Sequence, residues 1–106
     1  MLYISLMTFT EEGARSLNKS AARSEAFTKV AEERGIKIHY TLWTNGPYDV
    51  IHLFEVDSED DAMAHSYSLS VLGNVRTQTY RAYTRDEIQP VMNNVFNPYH
   101  LLDTGL

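Results

Sequence analysis

The chain contains no cysteine. Disulfides, zinc-thiolate centres and thiol nucleophiles are therefore excluded, and the lack is compatible with a reducing cytoplasm, the expected location. Positive charge is also scarce: nine Lys and Arg stand against fourteen Asp and Glu, a net charge of −5. The bases are dispersed and form no stripe that would track a phosphate backbone, so nucleic acid is not an expected partner. Long hydrophobic runs are missing too. The opening segment from Met1 to Met7 is too short to span a bilayer and has neither a basic flank nor a cleavage site. It reads as a first strand, and no membrane partner is expected. No nucleophile elbow, phosphate loop, metal-spaced cluster, internal repeat or low-complexity stretch is present. No metal and no cofactor are expected, and the sequence names no reaction.

What the chain does contain is an ordered series of turn and cap signals. With 106 residues it forms one domain, small enough that pairing with a second copy would help it bury a core. Leu2 to Phe9 is β-rich and hands over at Thr10, Glu11, Glu12 and Gly13, where the threonine caps a helix and the acids suit its positive end. Ala14, Leu17, Ala26, Phe27, Val30 and Ala31 make an apolar helical stripe, with a break and a second cap at Ser20, and Gly35 ends it. A strand over 36–44, a turn over 45–48 and a strand over 49–56 follow; the last is apolar at nearly every position and so should be central. Ser58 caps a helix running to Leu72, with Asp61 in the capping-box position and Ala62, Met63, Ser66, Leu69 and Leu72 on its buried face. The acidic residues from Asp57 to Asp61 read as solvated partners of the helix dipole. Gly73 stops the helix and Val75 to Tyr83 is the fourth strand. The order β-α-β-β-α-β predicts an α+β, ferredoxin-like sandwich with a four-stranded antiparallel sheet over residues 1–88. Thr84 to Glu87 repeats the capping-box pattern, with Pro90 expected to kink or restart the segment. Residues 89–106 read as a C-terminal arm whose Val95, Phe96, Tyr99, Leu101 and Leu102 would pack on a partner subunit.

Gly46, Tyr48 and Asp49, with Pro47 interposed, together with Thr10, Gly13, Ser20, Arg23 and the run Gly73 to Thr77, resemble the GYD-domain family over roughly residues 2–88. The resemblance implies a ferredoxin-like domain of the dimeric α/β barrel kind, with an activity poorly defined across the family. His39, Trp43, His52 and the long arm are local departures from it.

Residues alternate between faces along each strand, so one sheet face should meet the helices and the other a second sheet. Leu2, Ile4 and Leu6, with Ile36, Ile38, Tyr40, Leu42, Tyr80 and Ala82, are expected beneath the helices. For the third strand either set could face inward; if Ile51 and Leu53 meet the helices, the opposite, open face carries Ser5, His39, Thr41, His52, Thr77, Thr79 and Arg81 among the aromatics Tyr3, Trp43, Phe54 and Tyr83. Such a mixture suits a ligand cavity between sheet and covering loops, and equally a hydrogen-bonded dimer interface. Ser5, Trp43, Tyr48, His52, Thr79 and Arg81 are the candidate ligand-binding residues. His39, His52 and Asp49 are the candidate acid–base groups, each weighed against a structural role: satisfied strand histidines, and a turn carboxylate accepting backbone N–H bonds. Arg81 is the candidate anchor for an anion, or the partner of a carboxylate such as Asp49 or Glu55. His65 and His100 are expected at solvent or at an interface. The leading functional expectation is a homodimer that binds a small aromatic or carboxylate-bearing molecule. Its rivals are a cofactor-independent oxygenase- or isomerase-like enzyme using His39 or His52 as base, and an assembly subunit without a ligand.

Overall fold

The computed structural model describes residues 1–96 and 98. Four strands, β1 (Leu2–Phe9), β2 (Lys37–Trp43), β3 (Val50–Glu55) and β4 (Val75–Ala82), form one antiparallel sheet in the order β2-β3-β1-β4. Helix α1 (Glu11–Arg15), a 3₁₀ turn over Leu17–Lys19 and helix α2 (Ser20–Glu33) connect β1 to β2; α3 (Glu59–Leu72) connects β3 to β4; α4 (Arg85–Asn93) follows the sheet. The domain is α+β and ferredoxin-like, with β3 inside the sheet as its apolar composition requires.

Caps and turns set the boundaries. Thr10 accepts a hydrogen bond from the Gly13 backbone N–H at 3.1 Å, Ser58 does the same for Asp61, and Thr84 and Glu87 form a reciprocal capping box. Gly73 ends α3 with φ of +79°, a conformation that an L side chain resists. Gly13 has a different requirement: a Cβ there would lie 2.0 Å from the Asn74 carbonyl oxygen. The same Asn74 oxygen accepts from the Thr10 N–H at 3.1 Å, and the Thr10 hydroxyl donates to Gly73 O at 2.6 Å. One close corner thus ties the start of α1 to the turn between α3 and β4.

Two local expectations change. Ser20 is the first residue of α2 and caps nothing; its hydroxyl accepts the Trp43 indole N–H at 3.0 Å instead. Pro90 lies inside α4, which continues to Asn93 without a restart, because one missing N–H removes a single bond from a helix already anchored by its capping box. The arm residues Tyr99, His100, Leu101 and Leu102 lie outside the described residues.

The principal correction concerns the faces of the sheet. Pairing places Tyr3, Ser5 and Met7 beside Phe54, His52 and Val50 on one side and beside Arg81, Thr79 and Thr77 on the other. This set shares a face, as alternation requires, but it lies beneath the helices: Tyr3, Ser5, Met7, Val50, His52 and Phe54 are all buried. Leu2, Ile4, Leu6, Ile51 and Leu53 occupy the outer face and are only half-buried, with Tyr40, Leu42 and Tyr80 beside them at half exposure or more. The inner face tolerates polar groups because the helices bring matching ones. Ser5 and Ser66 of α3 both bond the Thr79 hydroxyl, at 2.8 and 2.9 Å, which leaves no buried hydroxyl unpaired there. Aromatic packing supplies the rest, centred on the fully buried Phe54 with Tyr3, Val56 and Ala62.

Candidate functional site

A bulge in β2 between Ile38 and Tyr40 disrupts strict alternation. It turns His39 to the outer face, where its Nε2 lies 3.0 Å from Glu55 Oε1, while Thr41 and Trp43 stay on the inner face with His52. The two histidines paired in the sequence reading as acid–base candidates are therefore on opposite sides of the sheet. His52 has another partner. Its Nε2 lies 2.9 Å from Nε2 of His65, on α3, and its Nδ1 lies 3.1 Å from the Thr41 hydroxyl.

His65 is a second correction. It is 3 % exposed and belongs to the buried stripe of α3 with Ala62, whereas Met63 is turned outward. Its ring stacks on His52 and packs against Phe54 and Phe27. Two Nε2 atoms in hydrogen-bond contact require one N–H and one lone pair, so at least one ring is neutral and two protonated rings cannot make the contact. Burial pushes both imidazoles down to about 4, with the charge on His65 adding to the effect at His52.

Between the inner sheet face, α2 and α3 lies a cavity of about 80 Å³. Its walls include Phe27, Trp43, Leu69 and Val75, and its polar groups include Arg23, Thr41 and His52. Apolar walls with a few polar groups are the usual chemistry of a small-molecule site. Arg23 comes from the first turn of α2; its Nη1 donates to the carbonyl and the hydroxyl of Ser16, at 3.0 and 2.8 Å. Its Nη2 is buried without a hydrogen-bond partner, alone among the side-chain nitrogens and oxygens of the described residues.

The structure distributes the predicted site residues rather than gathering them. Trp43 and His52 line the cavity. Thr79 and Arg81 line a separate groove of about 530 Å³ between α3 and β4. There the Arg81 guanidinium lies over the Tyr83 ring and bonds Glu87 at 2.9 Å, a different carboxylate from the two anticipated. The Glu87 carboxyl is held down at about 2, first by the Thr84 backbone N–H and then by Arg81. Ser5 is fully buried and lines neither space. Tyr48 donates to the Gln78 side chain at 3.1 Å, and Asp49 Oδ2 accepts from the Phe9 backbone N–H at 2.8 Å. With its own N–H bonded to Met7 O, Asp49 fastens the turn between β2 and β3 to β1. Sequence reasoning missed His65 and the role of Arg23. The spacing of Ala62, His65, Ser66 and Leu69 was the available sign for the first.

The GYD-domain family model matches residues 3–92. The chain belongs to the GYD-domain family. No curated protein matches it. In this GYD domain the aspartate of the turn, and the corner made by Thr10, Gly13, Gly73 and Asn74, are accounted for by backbone fastening, and the tyrosine of the turn by its bond to Gln78. Among the described residues no helix is long and apolar enough to cross a membrane, and no three His, Asp or Glu side chains are grouped to hold a metal ion.

Proposed function

We propose that this GYD domain is a homodimeric small-molecule-binding protein whose two sheet faces divide the work. The outer aliphatic face pairs with that of a second copy, and the inner face, roofed by α2 and α3, holds the ligand. Support for pairing comes from the incompletely buried row of Leu2, Ile4, Leu6, Ile51 and Leu53, flanked by the exposed Tyr40, Leu42 and Tyr80. A contiguous apolar surface on a small chain is costly to leave in water, and a second identical surface covers it with the same chemistry. Val91, Met92, Val95 and Phe96, in α4 and just beyond it, are exposed as well and extend the surface available to the partner.

The single observation that carries the binding reading is the cavity beside Trp43 and His52, apolar in its walls and furnished with one guanidinium, one imidazole and a few hydroxyls. At about 80 Å³ it is smaller than the several hundred Å³ of drug-sized sites, so it suits a compact molecule or one ring of a longer one. Screening small aromatic compounds by thermal shift, followed by titration calorimetry, tests this. Binding that disappears when Leu69→Trp fills the cavity is expected; binding unaffected by that substitution would defeat the reading.

His52 also favours a second reading, turnover of the bound molecule with that imidazole as base, since it lines the cavity and bonds His65. His39 has no such support, being on the other face of the sheet with Glu55.

A further inference from the structure

We infer that the cavity between α2, α3 and the sheet selects compact apolar monoanions, carboxylates foremost, and that Arg23 rather than Arg81 is the residue that holds their charge. The inference deepens the binding reading above and rests on it. Four basic side chains of the described residues sit within ion-pair distance of a carboxylate: Arg15 with Glu11, Lys29 with Glu25, His39 with Glu55 and Arg81 with Glu87. Arg81 has therefore already found its anion. Arg23 has not, although it is the better enclosed of the two in one respect: its Nη2 is buried with no acceptor among the described residues. A guanidinium cannot shed its charge near neutral pH, and Arg23 is the one Lys or Arg side chain in the cavity lining, so an anion that enters meets this cation and no other.

The surroundings define that acceptor. Nη1 is held by Ser16 O and Oγ, and the Ser16 hydroxyl in turn donates to Glu12 O at 3.0 Å, so the guanidinium plane is fixed before any ligand enters. Ser20 and Ser24 stand beside Arg23 in the cavity wall. Helix α2, fourteen residues long, begins at Ser20 with no side-chain cap on its first turn, which leaves the positive end of its dipole facing the same region. The rest of the lining includes Met7, Phe9, Trp43, Leu69 and Val75, which asks for an apolar body. The other titratable group in the lining, His52, is neutral above about pH 4 and adds no second positive charge. One fixed cation, hydroxyl donors and apolar walls match a single negative charge on a small hydrophobic frame.

Benzoate and its neutral counterpart benzamide are suitable probes, nearly equal in shape and different in charge. Titration calorimetry on the full chain at pH 7 should give benzoate an affinity about tenfold or more above benzamide, as expected when a charged hydrogen bond replaces a neutral one. Arg23→Met should abolish that preference while Arg81→Met preserves it. Equal affinities in the wild-type protein would overturn the charge assignment and leave the cavity reading standing; failure of both probes to bind would overturn the two together. A preference retained in Arg23→Met would show that another group holds the anion. Should Arg23→Met not fold, the equally neutral Arg23→Gln replaces it, and a benzoate preference undiminished in that variant contradicts the charge assignment. Acetate and chloride, titrated in parallel, separate an apolar acid from any small anion: affinity equal to that of benzoate would refute the apolar part of the inference.

Discussion

Leu53 and Phe54 are neighbours in β3 and belong to opposite worlds. Phe54 has no exposed surface and is packed between Tyr3, His52 and His65, whereas Leu53 lies half-buried on the outer face between Ile4 and Tyr40. The inner face is the more polar of the two in composition and the better buried, which reverses the usual association. Burial of polar groups is inexpensive when each meets a partner, and here Ser5, Thr79 and Ser66 form one line of hydroxyls and Thr41, His52 and His65 another. The outer face is aliphatic at its centre, with His39, Glu55 and Gln78 as bonded polar groups around it, and on the proposed reading a second molecule covers it. A sheet face is assigned to the core by the partners that the helices supply, and its own hydropathy decides less.

The contrast can be broken most severely at its centre. Phe54→Ala removes a fully buried ring and should cost about 3–5 kcal/mol in chemical denaturation, whereas Leu53→Ala, compared at a concentration low enough to suppress association, should cost clearly less. Similar losses for the two would contradict the assignment of faces.

Acid should act next, through the buried histidine pair of the inner face. Above pH 6.5 both His52 and His65 are neutral in the folded and the unfolded chain and contribute no pH dependence. Below 6.5 the unfolded chain takes up protons that the buried rings refuse until about pH 4, so stability falls as pH falls through that window. The loss is at most about 3 kcal/mol per ring. Denaturation midpoints measured from pH 7 to 4 should therefore decline more steeply in the wild-type protein than in His65→Phe; parallel slopes would contradict the neutral pair.

Smaller effects sharpen the edges of the comparison. Gly13→Ala pushes a methyl group against the Asn74 carbonyl and should destabilise by about 1–3 kcal/mol, read from the thermal midpoint, with no change in ligand preference. Trp43→Phe keeps an aromatic ring at the cavity wall but loses the bond to Ser20, and about 1 kcal/mol or less should go with it in the same measurement.

Much of this was legible in the chain because the signals were local. Thr10, Ser58, Gly73 and Thr84 mark element ends through bonds within a few residues of themselves, and strand alternation correctly grouped Tyr3, Ser5, His52, Phe54, Thr79 and Arg81 on one face. Alternation has a period of two and no sign, so it cannot tell which group the helices cover. Leu2, Ile4 and Leu6 had the more apolar appearance and were assigned inward for that reason alone. The bulge that moves His39 away from Thr41 is one residue of irregular pairing with no Gly or Pro to announce it. His65 was hidden because its partner, His52, is thirteen residues away and across a helix–sheet interface. The candidate site suffered most, since Arg23 becomes notable only through an unmet hydrogen bond, which composition does not display.

The most direct test of the division between faces is the solution mass of the full chain by sedimentation equilibrium at micromolar concentration, beside Leu53→Arg. The account predicts twice the 12.1 kDa chain mass for the wild-type protein and a folded single chain for the variant. A wild-type protein that stays at 12.1 kDa across the concentration range, or a variant that still pairs, would contradict it.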